Sequence, residues 1–231
     1  MNKLLLLFLA TVVLSGCAGV PVTDTKRNSY PSMYSDQKPI SMIIVPAINE
    51  STAANAGDLL NVTVTQPFAN QGYYVMPVAI VSDIFKREGI LEGTQIKGLP
   101  ASMFKKNFGA DSVLFLTITE WDKHYAVIAG NVSVGIEYVL LSTETNEVLW
   151  SYTQRVVVDT SGNANSGGGI LGALIVTAIS TAVTDYVPIA FKVHESAVKA
   201  LPYGKYHPKS GADGDDKVVN LSAKENAVQA D

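Results

Sequence analysis

Along the first half of the chain, short apolar runs closed by proline or glycine alternate with windows whose apolar residues recur at helical spacing. ISMIIVP, residues 40–46, is such a run and reads as a buried strand. The window STAANAGDLLNVTVTQPFANQG, residues 51–72, carries Leu59, Leu60, Val62, Val64 and Phe68 and is long enough for a helix, with Ser51 or Thr52 as cap and Gly72 as stop. Its β-branched residues 62–65 weaken that reading, and Pro67 must kink or end the helix. YYVMPVAI, residues 73–80, predicts a second strand. VSDIFKREG predicts a short helix capped by Ser82 and ended by Gly89, and GLPASMFKKNFGA predicts another that starts at Pro100 and stops at Gly109.

The clearest β pattern follows in residues 112–121, 125–143 and 147–159, all rich in Val, Ile, Tyr and Thr. The second pair is joined by the polar turn Thr143-Glu144-Thr145-Asn146, which suits a hairpin. Val132, Val134, Ile136, Tyr138 and Leu140 fall on one face, and Asn131, Ser133, Gly135, Glu137 and Val139 on the other. Three adjacent antiparallel strands are predicted. Near the C-terminus, residues 188–201 form a helical window in which Glu195 and Lys199 make a supportive i,i+4 pair.

Between the strands and that helix lies SGGGILGALIVTAISTAV, residues 166–183. Its glycines formally match GxGxxG, but a dinucleotide site needs them in a tight turn directly after a parallel strand, with an acidic residue about twenty positions on. Here a polar loop intervenes and Asp185 falls within the helical window itself. The uncharged apolar part, residues 167–183, is shorter than the roughly twenty residues a membrane helix requires. At helical spacing Thr177, Ser180, Thr181 and Thr184 form a hydroxyl stripe, and Ile175, Ile179, Ala182 and Tyr186 an apolar one. The expectation is a two-faced helix. Its hydroxyl face lacks charge, and Gly168, Gly172, Ala178 and Ala182 allow close backbone approach. That face is either an oligomer or partner interface or part of a helix buried in its own domain.

The order βαβα(α)βββα makes the fold class α+β: a single domain whose mixed sheet contains an antiparallel βββ meander with helices packed on it. Ahead of it stands MNKLLLLFLATVVLSGCAG, with one lysine, an apolar run and small residues before Cys17. This is the layout of a secretory signal. Residues 1–16 are therefore expected to be a signal peptide, 17–39 a lipidated N-terminus and flexible tether, 40–206 the α/β globular domain and 207–231 a disordered polar tail.

Leu14-Ser15-Gly16-Cys17 resembles the lipobox of bacterial lipoproteins. That resemblance implies diacylglycerol on the Cys17 sulfur, cleavage before it and acylation of the new amine. Ala18 follows in place of the aspartate that commonly retains such proteins at the inner membrane, so the resemblance implies the outer membrane. Several acyl chains anchor durably, since each buried methylene contributes about 0.8 kcal/mol. Cys17 is the only cysteine of the 231 residues, so no intramolecular disulfide can form.

ISMIIVPAINES, QGYYVMPV, NFGADSVLFLTITEW and ETNEVLW, with the lipobox upstream, are similar to conserved-hypothetical bacterial lipoproteins related in fold to the amino-terminal domain of the Tol-system protein TolB. Such proteins look like companions of a lipoprotein akin to the curli secretion channel. The same general fold appears in lipoproteins that activate peptidoglycan synthases. The resemblance implies a fold and a compartment but no reaction.

Candidate chemistry is sparse. His124, His194 and His207 are scattered, and an HExxH zinc motif from His194-Glu195 would need histidine where Val198 stands. Ser133, in GNVSVG, lacks the nucleophile-elbow spacing and reads as a solvent-facing strand residue; Asp83, Glu88, Glu92, Glu120 and Asp122 read as solvated surface charge. No catalytic, cofactor or metal residues are expected. A net charge of −4, becoming −5 when Lys3 leaves with the signal, and the absence of a Lys/Arg cluster argue against nucleic acid.

The sequence therefore predicts a non-enzymatic lipoprotein held by Cys17 at the bacterial outer membrane and facing the periplasm, a binding or assembly component of a secretion-channel-like envelope complex. Its partners are the membrane and an envelope protein, with a homodimer or higher oligomer open. The alternatives are a regulator of a peptidoglycan-synthesising enzyme or a surface-exposed lipoprotein of unassigned role.

Overall fold

A computed structural model describes residues 24–125, 130–159, 173–177 and 186–218, with the backbone alone described for residues 123–125, 130, 159 and 173–177. Cys17, the glycine-rich loop at 166–172, Ser180, Thr181, Thr184 and the tail beyond 218 lie outside the described residues. The strands are β1 (Ser41–Ile44), β2 (Ile48–Asn49), β3 (Tyr74–Val75), β4 (Ser112–Tyr125), β5 (Gly130–Ser142), β6 (Val148–Asp159) and β7 (Ala173–Thr177). The helices are α1 (Lys26–Ser29), α2 (Ala56–Asn70), α3 (Val78–Arg87), α4 (Ser102–Phe108) and α5 (Val187–Ala197).

The strands form one mixed sheet in the order β3-β1-β4-β5-β6-β7, with β2 also paired to β4. β3, β1, β2 and β4 run parallel, β4, β5 and β6 form the predicted antiparallel meander, and β7 returns parallel to β6. The sheet is covered unequally. α2 and α5 lie on one face, where Leu60, Val64 and Phe68 of α2 and Ile189, Val193 and Ala197 of α5 meet Ile44, Leu114, Ile136, Tyr138 and Trp150. The spacing 60, 64, 68 is one helical stripe, and burying each such side chain stabilises the fold by about 1.5–3 kcal/mol. On the other face α3 and α4 set Val81, Phe85 and Phe104 against Ile43, Val45, Val113 and Phe115.

The predicted alternation of β5 holds: Val132, Val134, Ile136, Tyr138 and Leu140 are all buried in the α2–α5 core. The neighbouring strand changes phase. In β4, Leu114, Leu116 and Ile118 face that core, then the register shifts between Ile118 and Glu120, and Trp121 faces it next. The additional residue, Thr119, is a β-bulge, which turns the alternation over by one position. Gly135 stands opposite; a Cβ there would come within 2.7 Å of the Thr119 hydroxyl oxygen.

Several sequence expectations are corrected. Residues 173–177 form a strand rather than part of a helix, pairing with β6 from Arg155↔Ala173 to Asp159↔Thr177. A short apolar run does not distinguish a buried strand from a buried helix by periodicity, and here Ile175, Val176 and Thr177 are β-branched and have a strand edge to join. The strand expected over 73–80 is cut to Tyr74–Val75, because Pro77 starts α3. Val78, Val81 and Phe85 then give α3 its buried stripe, so Ser82 lies inside it and is not its cap. α2 is preceded by Asn55, not Ser51 or Thr52, and continues past Pro67 to Asn70. One missing N–H is outweighed there by the burial of Val64 and Phe68, both 0% exposed. Lys199 lies past the end of α5, so its expected pairing with Glu195 has no helix to support it.

Candidate functional site: where the two chain ends meet the domain

The described parts of the expected tether and tail, residues 24–39 and 207–218, are packed against each other. Thr25 caps α1 by accepting from the Asn28 N–H, and Lys26, the first residue of α1, points into the protein. Its ammonium donates to the carbonyls of Lys199 (2.9 Å) and Leu201 (3.3 Å) and to Asp213 Oδ2 (3.1 Å). All three protons of the ammonium thus have acceptors, which is what allows Lys26 and Asp213 to be buried at 5% and 2% exposure. Asp213 also accepts from the Tyr34 hydroxyl and from the Tyr203 N–H. Burial, together with this carboxylate, pushes the Tyr34 phenol above its ordinary range.

The surrounding backbone closes the same joint. The Lys26 N–H donates to Asp216, Arg27 to Gly214, and Val218 back to Asp24, while Thr25 and Lys217 form a β-bridge. Arg27 crosses so close over Gly214 that a Cβ there would meet its guanidinium. Met33, in the 3₁₀ turn Pro31–Tyr34, is buried in the main core. Among the described residues the packing of the domain therefore reaches back to Asp24, ahead of the expected start at 40, and forward to Val218, past the expected limit of 206. Sequence reasoning missed the Lys26–Asp213 pair because its members are 187 positions apart. A signal was present: Tyr30, Met33 and Tyr34 are apolar anchors that a solvated linker does not need.

A second charged cluster lies on the same sheet face as α3 and α4, towards the far end of β4 and β5. The bulge at Thr119 turns Glu120 onto this face, and Gly135, with no side chain between the strands, lets it reach Arg155 on β6. Arg155 donates to both Glu120 oxygens and the Ser133 hydroxyl donates to Oε1 at 2.5 Å. The hydrogen bonds with Glu120 raise the guanidinium's proton affinity further. Ser133 is thus 1% exposed, not solvent-facing as its strand position predicted. A serine that donates to a carboxylate already held by arginine is a fixed structural hydroxyl.

The remaining candidates do not converge. His194 is fully buried, 2.9 Å from the Tyr138 hydroxyl, and burial pulls its pKa down to about 3. His207 stacks on Tyr203 at 3.8 Å, and the side chain of His124 lies outside the description. Asp83 pairs with the exposed Arg87, and Glu92 caps the 3₁₀ turn Gly93–Gln95. A cleft of about 230 Å³ lies between the end of β1 and α2, crossed by the exposed pair Lys86–Asp58. Among the described residues no three His, Cys, Asp or Glu side chains gather as metal ligands, and no helix is long and apolar enough to cross a membrane. Of the proposed hydroxyl stripe only Thr177 is described, as the last residue of β7.

The fold is thus a single α+β domain with helices on both faces of a mixed sheet, carried behind a lipobox-like leader. Residues 29–205 match the family described as "Putative lipoprotein GNA1162-like", and the chain belongs to that family of lipoproteins. It is 28% identical over 205 residues to "Putative lipoprotein NMB1124/NMB1162" of Neisseria meningitidis serogroup B, covering 88% of this chain and 92% of the relative. Among solved structures, lipoprotein GNA1162 from N. meningitidis is similar with a TM-score of 0.51 at 30% identity, over 55% of this chain and 88% of that one. The C-terminal domain of LpoB from Salmonella enterica gives a TM-score of 0.36 at 19% identity, over 57% and 94%.

Proposed function

We propose that this protein is an outer-membrane lipoprotein, anchored through Cys17 and facing the periplasm, that acts as a non-enzymatic binding or assembly component of a cell-envelope complex. The observation that carries this reading is the lipobox-like Leu14–Cys17 standing immediately ahead of a domain whose first residues are locked in place. Membership of a lipoprotein family supports the anchor. The charged clusters support a binding role over a catalytic one: Lys26–Asp213 and Glu120–Ser133–Arg155 are each consumed by structural hydrogen bonds.

The partner surface is proposed at the β7 side of the sheet, the last strand in its order. The apolar sequence Ala-Leu-Ile-Val-Thr suits pairing with a strand of another chain. Cysteines introduced at Thr177 and Thr181 test this, because the native thiol is consumed by lipid. Adducts at either site support the edge, and their absence at both contradicts it. For function as a whole, the test is recovery of partners from membranes with wild type and with Cys17→Ser. Retention of a channel-like lipoprotein by the wild type supports the proposal; recovery of peptidoglycan synthases instead supports a regulator of those enzymes.

A further inference from the structure

We infer that the end of the domain bearing the Lys26–Asp213 joint lies directly against the anionic headgroups of the membrane that holds Cys17. This rests on the anchor proposed above. Only seven residue steps separate Cys17 from Asp24, whose carbonyl is already hydrogen-bonded to Val218 of the domain. Whatever their conformation, seven steps reach at most about 25 Å. A tether extending to residue 39, as composition alone predicted, would reach about three times as far. The short connection keeps the anchored end of the domain within about 25 Å of the bilayer, so this is the end that can meet the surface.

The chemistry of that end matches a lipid interface. The exposed loop at 205–209 reads Lys-Tyr-His-Pro-Lys, with Lys205 and Lys209 flanking Tyr206, a large side chain 66% exposed. An aromatic ring with a polar tip between cations is the composition of membrane-interface segments. The loop is held rigidly: the Tyr206 N–H donates to Gly72, Tyr203 is fixed by Asp213, and Lys38 donates to Ser210. Exposed Arg27, which reaches the Gly211 carbonyl, joins it to the point where the tether enters. Asp24, Asp36, Asp215 and Asp216 stand in the same two segments, so the positive excess is small. The lipid anchor makes a small excess sufficient, because it holds the loop at high local concentration over the headgroups.

The test uses the lipidated mature chain in vesicles of phosphatidylethanolamine and phosphatidylglycerol. With Cys17 acylated, Tyr206→Cys supplies the only free thiol for a spin label, and Leu91→Cys, at the other end of β1, supplies the reference. The expected result is a label at 206 in the headgroup region and a label at 91 in water. Adding Lys205→Glu and Lys209→Glu should move the 206 label into water. A 206 label as water-exposed as the 91 label, on protein shown by mass to be acylated and bound to vesicles, overturns the inference and leaves the anchor standing. Absence of acyl mass on Cys17 overturns both.

Discussion

The molecule contains two ion-pair clusters built from similar side chains in different surroundings. Lys26 and Asp213 have side-chain exposures of 6% and 1%, whereas Arg155 and Glu120 have 47% and 21%. The first pair joins chain segments 187 positions apart; the second bridges neighbouring strands already held by the sheet ladder. Water can replace a lost partner at Glu120 far more readily than at Asp213. The contrast shows that the charge pair essential to this architecture is the one holding residues 24–27 to the domain, while the half-exposed pair between neighbouring strands is a local reinforcement.

The largest effect separating them should come from Lys26→Ala. It leaves the buried Asp213 unpaired and should cost about 3–5 kcal/mol, read as a lower urea midpoint. Replacing both members, Lys26→Met with Asp213→Leu, should recover much of that loss. A double variant as unstable as the single would show that the joint depends on the charges themselves.

Next in size is the pH response of the buried core beneath α5. His194 is held neutral by burial, with its pKa down at about 3, while in the unfolded chain it titrates near 6.5. The unfolded state therefore binds a proton that the native state refuses. Stability is complete above about pH 6.5 and falls as pH drops toward 3, by about 1.4 kcal/mol per pH unit inside that window. Urea midpoints between pH 5 and 7 should show this slope in the wild type, and His194→Gln should remove its share. Equal slopes in the two proteins would contradict the assignment.

Beside the second cluster, Gly135→Val places a side chain against Thr119 and the bulge, and should cost about 1–3 kcal/mol by overpacking. The smallest effect is expected from Arg155→Ala, about 1 kcal/mol or less, and it should shrink further with added salt. A loss at Arg155 as large as that at Lys26 would erase the distinction between the two clusters.

What the sequence reveals follows the range of the interactions involved. The alternation of Val132 to Leu140, the stripe of α2 and the start of α5 near Pro188 are local patterns, and each corresponds to an observed element. The phase change at Thr119 is not legible, because a bulge adds one residue without any distinctive sequence, and the contact it sets up between Glu120 and Ser133 is hidden with it. β7 is not legible as a strand, because four apolar residues and a threonine carry no decisive period and its stabilisation comes from pairing with β6. The Lys26–Asp213 joint lay in two segments that composition marks as polar and linker-like, and only the fold brings them together. The lipidation proposed for Cys17 is the opposite case: it is read from a local motif that needs no tertiary structure, and Cys17 itself lies outside the described residues.

Backbone hydrogen exchange of the mature chain tests the central claim most directly, namely that the segment at Lys26, nine residues after the cysteine proposed as the anchor, is packed into the domain. The Lys26 and Arg27 amides donate to Asp216 and Gly214 in the joint. They should exchange slowly, with protection comparable to the amides of the β4–β5 ladder and lost in Lys26→Ala. Exchange of both at free-peptide rates in the wild type would show a flexible N-terminus extending toward residue 39, and would contradict the account.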